Sequence, residues 1–285
     1  MPDPRVCLEA LSALSGCRVE STPGRSQIQP QDLVNIVALR EFYKQEGLQE
    51  LDYPSIGTMS LQDPDPDEPD LYGPAPSLTA GPDPGPGPGP ALADRKPVKL
   101  NPEDFFHPQY DYDFTRIQDG DRRFLRGNEQ YVRPCGWDRA ALRVTQRYAD
   151  GDGWLGTGRD AWPVSYQGHG MDGSIILVRG GEPEDEPGYL EAAAARLTER
   201  RTQGRGVYST PDVRLAEKFC KTFRSQVDGK KYKVLLQNRI NPETRSQCQR
   251  EDVWVVYIQE GLNDVQTRAL VEDAIRPYGL LLKEA

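Results

Sequence analysis

The tract from Gln62 to Lys96 constrains this chain more than any other stretch, because it cannot join a packed core. It runs Asp-Pro-Asp-Pro-Asp-Glu-Pro-Asp and later Pro-Asp-Pro-Gly-Pro-Gly-Pro-Gly-Pro. Proline fixes φ and removes an amide donor, while glycine loses the most conformational freedom on folding. No apolar period crosses the tract, and its composition predicts a disordered, partly polyproline-like linker. The chain then divides into a short helical segment over 1–61, an acidic Pro/Gly linker over 62–103 and a folded domain over 104–285. The linker carries the acidic cluster Asp63, Asp65, Asp67, Glu68 and Asp70. The chain's charge of −9 and its 36% hydrophobic content therefore describe the linker more than the domain.

Several function classes drop out at this level. No stretch approaches the roughly 20 apolar residues of a membrane span. Met1-Pro2-Asp3-Pro4-Arg5 lacks the basic and then apolar run of a signal peptide, so an intracellular location, cytoplasmic or nuclear, is expected. The five cysteines are odd in number, scattered and without a C-x-x-C pair, as reduced thiols would be. With only His107 and His169 as histidines, no metal is expected. The acidic balance argues against nucleic-acid binding, although Arg196, Arg200, Arg201 and Arg205 form a local basic group.

Periodicity places one amphipathic helix over Gln31–Gln45, with Asp32 as its N-cap. The turn Gln118-Asp119-Gly120-Asp121 predicts a hairpin between Phe114–Ile117 and Arg123–Leu125. Strands are expected over Trp162–Tyr166, Ile175–Val178, Gly206–Tyr208, Tyr232–Gln237, Val253–Ile258 and Tyr278–Leu282. Helices are expected over Glu191–Thr202, Pro211–Phe223 with Thr210 as N-cap, and Val265–Ala274. Short strands with interspersed helices predict an α+β fold, with a mixed or antiparallel sheet rather than a doubly wound parallel one.

Five segments stand in an informative order: Trp162 to His169, a strand ending in a Gly turn; Gly204-Arg205-Gly206-Val207-Tyr208-Ser209-Thr210-Pro211-Asp212; the helix Leu215-Ala216-Glu217-Lys218-Phe219; the strand Lys231 to Asn238; and Glu251-Asp252-Val253-Trp254-Val255-Val256-Tyr257. The strand Arg276 to Lys283 closes the set. From about Val164 to Lys283 this order resembles the ADP-ribosyltransferase fold of the poly(ADP-ribose) polymerase class. That family has a His-Gly pair ending one strand, a Gly-x-Gly-Ile-Tyr segment, an aromatic on the next helix and a Glu heading a later strand. The resemblance implies a split sheet with flanking helices and NAD as substrate. It places Gln167, Tyr208 and Asp252 at the catalytic positions, with Glu251 as the alternative acid. Gly168, Tyr208, Ser209 and Phe219 fall at the cofactor-binding positions.

The chemistry explains these residue types. Such a transferase must hold nicotinamide flat, leave the ribose C1′ open and stabilise an oxocarbenium-like transition state. Tyr208 and Phe219 can serve as stacking walls, and Gly168 lets the backbone approach the carboxamide. A carboxylate near the ribose stabilises the developing charge. Here Gln167 stands in place of His, and an amide can still donate to a ribose hydroxyl. Asp252 is one methylene shorter than Glu, and a displacement of about 1 Å costs about 10²-fold in rate. Ala216 lacks the hydroxyl that commonly binds the amide. The two readings are an enzyme that transfers at most single ADP-ribosyl units to a protein or nucleic-acid acceptor, and a retired domain that recognises a protein partner. Without the resemblance, Tyr208 is a core aromatic, His169 an exposed turn residue and Cys220 a buried small side chain. The Glu182–Pro187 insert is then a solvated loop. The sequence leaves the oligomeric state open.

Overall fold

The structure is a computed structural model that describes residues 2–37, 97–171, 206–247, 253–259 and 261–285. The acidic linker over 62–96, the strand expected over Ile175–Val178, the Glu182–Pro187 insert, the helix expected over Glu191–Thr202 and both candidate acids, Glu251 and Asp252, lie outside the described residues.

The first element is helix α1, Pro4–Ser15. Asp3 caps it by accepting from the Arg5 amide, Pro4 opens it, and Gly16 ends it at φ 73°. Its apolar face, Val6, Cys7, Ala10, Leu11 and Leu14, is buried. Strand β1, Val19–Ser21, pairs in parallel with β2, Val98–Leu100, in the register Val19 to Val98. Residues 32–37 are helical, where the sequence predicts a helix; its expected continuation to Gln45 lies outside the described residues. The one-turn helix α2, Pro102–Phe105, follows with Asn101 as its cap.

Two antiparallel sheets then form an α+β body. The larger contains β3 (Tyr112–Asp113), β6 (Asp138–Ala141), β13 (Ile275–Glu284), β10 (Lys231–Ile240) and β7 (Val164–Gln167), in that spatial order. Strand β9, Lys221–Arg224, shares with β7 one edge of β10, pairing with its first half while β7 pairs with its second. The two long central strands are buried on both faces, so their middles read as runs of Val and Leu rather than as an alternation. Pro277 sits beside the register shift between Gln237 and Asn238, the kind of place where a strand tolerates a residue without an amide donor.

The smaller sheet orders β11 (Ser246–Gln247), β12 (Trp254–Tyr257) and β8 (Gly206–Ser209). A bridge between Tyr166 and Thr210 links β7 to the end of β8 and so joins the two sheets. The helices α3, Val213–Glu217, and α4, Asp264–Ala274, complete the body, α4 starting at a capping box of Asn263 and Gln266.

One face of the larger sheet carries Val234, Leu236, Ile240, Leu280 and Leu282 into the main core. There they meet α1, residues 32–37, α4 and the inner face of the smaller sheet. The opposite face carries Leu235, Leu281, Val164 and Tyr166 into a second cluster with Trp137, Tyr131, Val213 and Ala216. Among the described residues no helix is long and apolar enough to cross a membrane.

Three local expectations change. The hairpin forms further along, between β4 (Leu125–Arg126) and β5 (Glu129–Gln130), around Gly127 and Asn128. Both have positive φ, 57° and 65°, which is the twist a two-residue hairpin turn requires. The Gln118–Asp121 turn exists, with the Arg122 amide bonding the Asp119 carbonyl, but no strands flank it. Helix α3 is capped by Asp212 rather than Thr210 and stops at Glu217, because Lys221–Arg224 leaves it to pair with β10. Finally, β2 and the first two residues of α2 lie within the stretch 62–103 expected to be linker.

Candidate functional site

The end of β7, the body of β8 and helix α3 converge at Gly168. A Cβ placed there would lie 2.5 Å from the Phe219 carbonyl oxygen and 2.9 Å from that of Ala216. Only a glycine lets the strand end press against the last turn of α3. The Gly170 amide donates to the Phe219 carbonyl at 3.0 Å, which fixes the turn against the helix. Gly168, Ala216 and Phe219 are thus neighbours through backbone.

The side chains are arranged less simply. Tyr208 is 4% exposed and packs with Val253, Val255 and Leu215 on the outer face of the smaller sheet. Phe219 is partly buried against the second cluster, with Tyr166, Trp137 and Val213. The two expected stacking walls therefore belong to different clusters. On β8, Val207 faces the main core. Alternation then puts Ser209 on that same face and Tyr208 on the other. On β7, Tyr166 faces the second cluster, so Gln167 points the opposite way, toward the main core with Ser209.

Gln167 is wholly buried and donates from Nε2 to the Tyr208 carbonyl at 3.2 Å. It meets the Tyr208 backbone rather than the ring. Its Oε1 and the Ser209 Oγ are buried with no hydrogen-bond partner among the described residues, and the same holds for Ser165 Oγ and both amide atoms of Asn238. Asn238 lies directly across from Ser165 in the β10–β7 register, and Leu236 across from Gln167. A polar stripe thus runs through the space between the sheets. Burying such groups unpaired costs about 1–3 kcal/mol each.

His169 is half-buried rather than exposed. Its Nδ1 lies 2.9 Å from the Leu14 carbonyl of α1. A carbonyl only accepts, so Nδ1 carries the proton in that contact. Cys220 is half-buried, and burial, with the Glu217 charge nearby, pushes its thiol up to about 11. A thiol shifted in this direction is protonated at neutral pH. Among the described residues no group of three or more His, Cys, Asp or Glu could hold a metal ion.

A cleft of about 630 Å³ opens on the other side of α3, between that helix and residues 118–137. Its charged lining is Asp119, Arg122, Arg133, Arg214, Glu217 and Lys283. Arg133 pairs with Asp119 and stacks over Phe124 at 4.2 Å. Glu217 reaches Lys283 at 2.9 Å and Lys233 at 3.0 Å. Partial burial raises the Glu217 pKa, but the two ammoniums outweigh it and hold the carboxyl below its ordinary value. Sequence reading passed over this group. Its signal was the density of arginine between Arg116 and Arg133 in an otherwise acidic chain.

Comparison with protein-family models, with curated proteins and with solved structures found no match to this chain.

Proposed function

We propose that the chain is an ADP-ribosyltransferase-like domain that binds NAD or ADP-ribose and turns NAD over poorly, with transfer of single units as the upper limit. The observation that carries this reading is the meeting of β7, β8 and α3 at Gly168, where no Cβ fits against the carbonyls of Ala216 and Phe219. In the family this chain resembles, the corresponding glycine, aromatic and helix form the nicotinamide subsite.

Weak turnover is what Gln167 leads us to expect, because the amide that would donate to a ribose hydroxyl already donates to the Tyr208 carbonyl. The same engagement favours the second reading, a domain retired from NAD chemistry that recognises a protein partner.

The test is incubation of the full chain with labelled NAD, together with thermal melts in NAD and in ADP-ribose. A melting-temperature rise with either ligand, lost in Tyr208→Ala, and little label incorporated are expected. Strong incorporation abolished by Asp252→Ala would make it an efficient enzyme. The absence of both responses would leave the partner-recognition reading.

A further inference from the structure

We propose that the cleft between α3 and residues 118–137 is a binding site for a small phosphate-bearing organic molecule, separate from the Gly168 locus. Its volume of about 630 Å³ is that of a pocket for a nucleotide-sized ligand. Four cations line it against two carboxylates, in a chain whose total charge is −9.

The pairing inside the cleft decides which charges are available. Asp119 is taken by Arg133. Glu217 is shared between Lys283 and Lys233. Among the described residues Arg122 donates only to the backbone carbonyls of Gln118 and Asp119, at 3.0 Å and 3.3 Å. The exposed guanidinium of Arg214 has no ion-pair partner among the described residues. Two guanidiniums thus face one concave space without a carboxylate to neutralise them.

Guanidinium groups match the geometry of phosphate oxygens and bind them through paired donors. Gln118 and Gln130 add amide donors at the rim, and the half-buried Val132 stands beside them. The space of about 630 Å³ is larger than a bare anion fills, so the site suits an organic phosphate better than an inorganic one.

The experiment titrates the full chain with AMP, pyrophosphate and adenosine by calorimetry. AMP is expected to bind, pyrophosphate to bind more weakly, and adenosine not to bind. The double variant Arg122→Gln/Arg214→Gln should weaken AMP roughly tenfold or more, as loss of charge-assisted hydrogen bonds predicts. Both side chains are exposed, and circular dichroism checks that the variant is folded. The charge-matched control Arg5→Gln/Lys230→Gln, outside the cleft lining, should bind AMP as the parent does. Gln130→Lys, which adds a cation to the wall, should tighten binding. The proposal fails if AMP does not bind, if adenosine binds equally, or if the cleft variant binds AMP unchanged. NAD and ADP-ribose also carry phosphate, so the melts are repeated on both variants: a rise lost in Tyr208→Ala and kept in Arg122→Gln/Arg214→Gln belongs to the Gly168 locus, and the reverse belongs to the cleft.

Discussion

A methyl group at position 168 would meet backbone on the far side, whereas one at Gly279 would meet Arg139 Cδ at 2.8 Å and the Gln237 side chain at 3.1 Å. A long side chain can swing away, but the carbonyls of Phe219 and Ala216 move only if α3 moves with them. Gly168→Ala is therefore expected to cost about 1–3 kcal/mol, the range for overpacking. Gly279→Ala should cost less, and urea unfolding of the two variants measures the difference. The importance of Gly168 was legible from its place after a strand and beside a turn. The facing of its neighbours was not. Whether Gln167 looks toward Tyr208 or away from it depends on the phase of the β7–β8 bridge at Tyr166 and Thr210, and that phase is set by long-range pairing.

At the scale of elements, α3 is a five-residue helix, too short to persist on its own. Glu217 anchors it. Lys233 and Lys283 lie directly opposite each other across β10 and β13, a like-charge pair that would repel. The Glu217 carboxylate bridges both, offsetting the repulsion and tying the helix to the sheet. Glu217→Gln should lower stability by about 1.5–3 kcal/mol, the range for a charge-assisted hydrogen bond. Because the folded carboxyl sits below its ordinary value of 4.5, its contribution is complete above that pH and is lost as the pH falls beneath it. Parent and variant should accordingly converge in stability on acidification, which denaturant titrations at a series of pH values measure.

Other elements differ in how openly the sequence announces them. Helix α1 carries three written signals, Asp3 as cap, Pro4 as first residue and Gly16 as stop, yet Gln31–Gln45 is the one helix expected in the N-terminal segment. The end of α3 carries no such signal. Lys221 to Phe223 fits a helix locally and becomes strand only because β10 offers an edge.

For the whole molecule, the main core draws on residues from both sides of the acidic tract. Leu11, Leu14 and Leu33 are 0% exposed and share one cluster with Leu236, Ile275 and Leu280. The N-terminal residues described are thus part of the same body as those after the tract. Leu11→Ala should cost about 2–5 kcal/mol, as a core truncation does. It should also shift a single cooperative transition of the whole fold, since the leucine touches no core of its own. Coincident unfolding curves from far-ultraviolet dichroism and tryptophan fluorescence check this. The tryptophans described, Trp137, Trp154, Trp162 and Trp254, all lie after the acidic tract, so a loss at Leu11 that reached them would have crossed it.

The parallel pairing of Val19 with Val98 carries one more consequence. It fastens the two ends of the intervening chain side by side on a single body. The chain from Ser21 to Val98 thus leaves and rejoins a single body, as a handle does. The entropy of closing such a handle grows only logarithmically, by about 0.6 kcal/mol for each doubling of its length. Lengthening or shortening it therefore costs the body beneath it little.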